Sequence, residues 1–146
     1  MLKYSQEGSD YMKHIKVIIS VWLTTLVYII GGIDASLKCL LTLMCVDYFT
    51  GVSKGYYNNE LSSYKGFKGL VKKLNILSII VVANMIDEML GKTGTIRTLT
   101  IYYICCNEGL SIIENLSAMN IIVPKWLKEK LIQVKKETEE NGSSNA

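Results

Sequence analysis

Residues 17–33, VIISVWLTTLVYIIGGI, contain no charged side chain. As an α-helix, rising about 1.5 Å per residue, this run extends roughly 25 Å, close to the hydrocarbon thickness of a bilayer, about 30 Å. Three further apolar runs follow, at 39–53, 74–90 and from 97 to about 118. Their longest uncharged stretches, 39–46, 74–86 and 98–107, are only 8 to 13 residues long, which also suits buried core helices. Length alone therefore leaves two architectures open, a membrane bundle and a soluble helical bundle.

Charge placement separates them. If each run crosses a membrane, residues 1–16, 54–73 and 119–146 share one side and hold thirteen of the sixteen Lys and Arg residues. The opposite side holds only Lys38, Lys92 and Arg97. The positive-inside rule predicts this alternation for a chain with both termini in the cytoplasm. Tyr56, Tyr57, Tyr64 and Phe67 lie among the lysines of the 54–73 segment, as at a membrane interface. The single proline of the 146 residues, Pro124, favours long unbroken helices.

The expected fold is an all-α integral membrane protein. It has a polar cytoplasmic N-terminus at 1–16, about four transmembrane helices (17–33, 37–53, 74–90 and 97–118), a basic amphipathic helix at 119–136 and a disordered tail at 137–146. The first apolar run lacks a small-residue cleavage site after it, so it reads as a span and not a signal peptide.

Enzyme chemistry finds little support. Cys39, Cys45, Cys105 and Cys106 have no paired zinc spacing, and His14 is the only histidine. There is no phosphate loop, dinucleotide fingerprint or nucleophile elbow. No cofactor, metal or nucleic-acid partner is expected, and the cysteines read as small buried hydrophobes.

The intramembrane acids are the informative residues. Asp47, Asp87, Glu88, Glu108 and Glu114 fall in or near the bilayer, and Glu108 and Glu114 are flanked by Asn107 and Asn115. One charge at the centre of a lone helix costs about 2.5–3.5 kcal/mol on insertion scales. Pairing, protonation or contact with water must lower that cost. At 100° per residue Glu108, Ser111 and Asn115 share a stripe, with Asn107 and Glu114 on the adjoining one. Asn84, Asp87 and Glu88 share a face of the third run, as do Asp47, Gly51 and Lys54 of the second. No basic residue of the fourth run reaches Glu108, so it is expected at a helix–helix or subunit contact, near the wet side of an assembly. Gly51 and Gly109 would permit close helix packing. Lys65, Lys68, Lys72, Lys73, Lys125, Lys128 and Lys130 are expected at the anionic inner membrane surface.

The ordered set D-Y-F-T-G at 47–51, G-F-K-G-L-V-K-K at 66–73, N-M-I-D at 84–87, N-E-G-L-S-I-I-E-N-L at 107–116 and V-P-K-W-L-K-E-K-L at 123–131 resembles the toxin-secretion/phage-lysis holin family. The resemblance covers about residues 35–131. It implies a non-enzymatic, phage-encoded protein of the bacterial host's cytoplasmic membrane. Such a protein assembles with copies of itself and opens lesions through which an endolysin, or in some clostridia a toxin, leaves the cell. A small ion or proton channel or transporter subunit using the intramembrane carboxylates is the alternative, and a soluble helical interaction module is a third reading. Met12, followed by Lys13, is a candidate second start that would drop Lys3, Glu7 and Asp10 and shift the N-terminal charge.

Overall fold

A computed structural model describes residues 2–91 and 94–144, with side-chain surroundings from residue 12 onward. Lys92 and Thr93, expected on the outer side, lie outside the described residues, as do the side chains of Lys3, Glu7 and Asp10. Five α-helices account for the architecture: α1 Leu2–Ile29, α2 Ala35–Tyr57, α3 Ser63–Met89, α4 Thr95–Ala118 and α5 Lys125–Ser144. No strand occurs among the described residues.

Three helices are long and apolar enough to cross a membrane: α1 over Met12–Ile29, then α2 and α3. By composition α4 falls short, so three candidate spans stand where four were expected. The reason is local. Arg97, Glu108 and Glu114 lower the apolar character of α4, yet Arg97 and Glu108 are buried among neighbouring helices.

Boundaries moved where capping overrode polarity. α1 begins at Leu2, because nothing in the polar lead-in breaks a helix that the apolar run continues. It ends at Ile29, where Gly31 and Gly32 take φ of +84° and +89°, a region that glycine enters without a Cβ clash. Asp34 then caps α2 by accepting from Leu37 N at 2.8 Å. The segment 54–73, read as a long loop, is mostly helix. Ser62 accepts from Lys65 N at 3.5 Å and starts α3 eleven residues before the apolar run. α5 starts at Lys125, after Pro124, and continues to Ser144 through the expected disordered tail. Side-chain links such as Gln133 Nε2 to Glu137 Oε1, 2.8 Å, and Ser143 Oγ to Glu139 O, 3.0 Å, bridge its exposed turns.

α2 and α4 lie side by side and parallel. Arg97 meets Asp34 at their N-terminal ends, Asn115 in the last turn of α4 meets Asp47 and Thr50, and Asn120 Nδ2, just past α4, reaches the hydroxyl of Tyr57 at the end of α2. α3 runs antiparallel to both, with Lys73 against Asp47 and Asp87 against the start of α4. Leu37, Leu40, Met44, Ile80, Ile101 and Ile104 close the seam between the three. Among the described residues α1 touches only α3, and α5 touches only α4.

The polarity of the packing is inverted. Lys73, Asn84, Asp87, Arg97 and Glu108 are buried. Val17, Ile18, Ile19, Val21, Trp22, Leu23 and Leu26 are all more than half exposed. Water would drive such surfaces to aggregate. In a bilayer they are the lipid-facing surface, and the polar residues take the interior, where they satisfy one another. The chain is a membrane protein.

Candidate functional site

A polar cluster occupies the middle of the three-helix seam. Lys73 of α3 donates from Nζ to Asp47 Oδ2 of α2 at 2.9 Å and to a carboxylate oxygen of Glu108 of α4. Asn115 Nδ2 donates to Asp47 Oδ1 at 3.1 Å and lies 3.4 Å from Thr50 Oγ1. Thr50 in turn donates to the Asp47 backbone oxygen at 3.0 Å. The three charged side chains are 9–16% exposed. One lysine against two carboxylates leaves one negative charge, and the polar donors and adjoining crevice help to support it.

That crevice, about 790 Å³, separates α3 from the C-terminal parts of α2 and α4. Gly51, Asn107, Ser111 and Glu114 line it, with Lys65 and Lys72 toward the α2–α3 connection. Gly66 and Gly69 help to keep it open. A Cβ at Gly69 would meet nothing within 4 Å, and one at Gly66 only the Tyr48 hydroxyl, at 3.6 Å.

A second cluster ties the opposite ends of the helices together. Arg97 spends its whole fork on the α1–α2 turn: Nε to Ile30 O at 2.6 Å, Nη2 to Gly32 O at 2.9 Å and Nη1 to Asp34 Oδ2 at 2.7 Å. Asp87 reaches across from α3 and accepts from Ile96 N at 3.0 Å and Arg97 N at 2.8 Å. It thereby supplies the cap that Gly94, the N-cap residue of α4, lacks. Asn84 Nδ2 donates to Ile29 O at 3.2 Å and approaches Glu88 Oε1 at 3.4 Å.

Asp34 lies in the turn outside the spans. Its hydrogen bond from Arg97 outweighs partial burial and holds its carboxyl down at about 2, against an ordinary value of 3.8. The sign follows from a folded pKa below the unfolded one. The stabilisation is complete above about pH 4 and disappears as pH falls toward 2. In detergent unfolding, the difference between wild type and Asp34→Asn is therefore expected to stay constant from pH 7 to 5. It should close only under strong acid.

The expected site residues thus divide. Asp47, Glu108 and Asn115 meet around Lys73, while Asn107, Ser111 and Glu114 face the crevice beside them. Asn84, Asp87 and Glu88 form the other cluster. Gly51 faces the Asn115 amide, and Gly109 sits under Leu131 of α5. Lys73, expected at the membrane surface, is buried as the counter-ion of Glu108, because the K-K pair at 72–73 straddles the first buried turn of α3. Lys65, Lys68, Lys72, Lys125, Lys128 and Lys130 remain exposed. Thr50, Asp34 and Arg97 were not anticipated as site residues. The position of Arg97, three turns from Glu108 on the same stripe, was legible, but its partners lie on a turn distant in sequence. Because Lys73 already balances Asp47, Glu108→Gln leaves a neutral pair. It is expected to insert and accumulate at least as well as wild type in a membrane-fraction blot.

The bacteriophage holin family model matches residues 24–136, which include every helix of the α2–α4 seam. The chain belongs to the bacteriophage holin family. Within reach of this holin family member is a 14.9 kDa Clostridium perfringens protein in the nagH 3′ region, 41% identical over 112 residues, or 76% of this chain and 85% of the relative. The Listeria monocytogenes protein Lmo0128 is 38% identical over 105 residues, covering 72% and 75% of the two chains. A relative named probable holin, from Bacillus phage phi105, is 33% identical over 104 residues, covering 71% and 76%. No solved structure matches this holin-family chain.

Proposed function

We propose that the protein is a holin that oligomerises in the cytoplasmic membrane of its bacterial host and opens lesions that release an endolysin or a toxin. The observation that carries this reading is the inverted packing: buried charges at mid-depth and exposed apolar helices, in a chain of the holin family. The phi105 relative, a probable holin by name, supports it. The protein acts by assembly, with no bond-making chemistry.

Four spans are the topology we favour. α4 runs parallel to α2 along its whole length, so whatever depth α2 crosses α4 crosses too. Its charges do not oppose this, since Glu108 is paired inside the bundle and the buried Arg97 is paired on the α1–α2 turn. With Lys73 buried in the seam, twelve of the sixteen basic residues lie on one side before α5 docks, and both termini are then cytoplasmic. A cysteine at Asp34 is expected to react with an impermeant maleimide added outside intact cells, and one at Ser63 only after permeabilisation. External labelling at Ser63 would contradict this topology.

The crevice that reaches Lys73 favours a second reading, a narrow ion or proton pathway through the intramembrane carboxylates. Co-expression with an endolysin that lacks its own export signal separates the two. A holin gives abrupt lysis, whereas a narrow channel depolarises cells that stay intact.

A further inference from the structure

Each side of the three-helix seam carries one outer helix, and the two differ in kind. α1 touches only α3 and exposes an apolar surface. α5 touches only α4 and exposes Lys128, Glu129, Lys130, Lys136, Glu137 and Glu140.

α5 does not stop at the end of α4 but folds back along it. Leu131 fills the space over Gly109, where an added Cβ would lie 3.1 Å from Leu131 Cδ1. One turn on, Lys135 Nζ lies 4.9 Å from the centre of the Tyr103 ring. Thr138, a turn further, is buried. Rising residue numbers in α5 meet falling ones in α4, so the two helices are antiparallel. The charged side of α5 therefore passes the depth at which Glu108 meets Lys73, the middle of the span.

Lipid cannot accept that surface. The charges are on the outside of the protomer, without buried partners among the described residues, and hydrocarbon would leave them unsolvated. An intact bilayer offers no water there, but an open lesion does.

We propose that docked α5 is the wetted wall of the lesion, with its charged face toward the aqueous conduit and α1 toward lipid. Before assembly, α5 lies at the inner membrane surface, where its lysines meet anionic headgroups. Docking onto α4 through the Gly109 seat then belongs to the open state. The proposal rests on the holin reading.

The test uses the full chain with Cys39, Cys45, Cys105 and Cys106 replaced by serine and with Gly109→Cys and Leu131→Cys introduced. Cells co-expressing a cytoplasmic reporter enzyme are sampled before and after the reporter escapes, then oxidised briefly with copper phenanthroline. Bridging within one chain is read by loss of free thiol. The bridged fraction should rise several-fold in step with release. Equal bridging before and after, or release without bridging, would overturn the proposal while leaving the holin reading in place. No release from the wild-type chain would overturn both. Independently, Gly109→Leu fills the seat of Leu131. Its membrane-pelleted, carbonate-resistant level should match wild type while reporter release is lost. Release by Gly109→Leu on the wild-type schedule would also overturn the proposal.

Discussion

Lys73→Met is expected to collapse the accumulation of the protein in membranes and to abolish lysis. The substitution keeps an unbranched side chain, one atom shorter, and removes its charge, leaving Asp47 and Glu108 facing each other in the seam without a cation. Removing one partner of a buried ion pair costs about 3–5 kcal/mol, a large part of the stability of an ordinary domain. Here two carboxylates lose the same partner. If the defect arises from that uncompensated charge, neutralising the acids restores the protein. The triple variant Lys73→Met, Asp47→Asn, Glu108→Gln should accumulate near the wild-type level, because Asn115 still finds an acceptor at position 47. Quantitative blotting of carbonate-washed membranes reads both arms. Wild-type abundance of Lys73→Met would show that the cluster does not hold the seam together.

Arg97→Leu should be nearly as damaging, at the other end of the bundle. It removes three donors and strands the carbonyls of Ile30 and Gly32, with Asp34 losing its cation. Hydrogen bonds to charged groups contribute about 1.5–3 kcal/mol each, but Asp34 is nearly half exposed and its share is screened by water. A total loss of about 3 kcal/mol is expected. Arg97→Lys retains a charge but not the planar fork, so it should fall between wild type and Arg97→Leu. The thermal midpoint in detergent orders the three variants. A cysteine at Gly32 should become more reactive in Arg97→Leu, because the turn that joins α1 to the bundle has lost its clamp.

Gly31 shows how tightly that clamp is built. A Cβ there would press on the Asn84 side chain and approach Arg97 Nε to 2.8 Å, at a φ of +84° that alanine resists. That Gly31 makes room for an arginine 66 residues away was not legible in the sequence, because periodicity describes one helix at a time.

The same limit explains the rest. The helices and their order were legible from apolar runs and from a chain nearly free of proline. The polar faces were legible from helical geometry, and Asp47, Glu108 and Asn115 do meet. Their cation was not, since K-K at the edge of an apolar run reads equally as an interfacial anchor, and only the packing of α3 carries Lys73 inward. α5 shows a subtler ambiguity. The stripe of Leu127, Leu131 and Val134 fits a lipid surface and a neighbouring helix equally well, and the seat at Gly109 is visible only once α4 and α5 are side by side. Capping accounts for the shifted ends, as at Ser62, where one hydroxyl starts a helix at the head of an eleven-residue stretch, 63–73, that looks like loop.

Reconstitution into liposomes tests the central claim most directly. Vesicles loaded with both a small fluorophore and a folded protein of endolysin size report what crosses when the purified chain is added and allowed to assemble. The account predicts that both escape, above a threshold protein-to-lipid ratio, with the folded protein still active outside. Escape of the fluorophore or of ions alone, with the folded protein retained at every ratio, would contradict it and leave a narrow channel in its place.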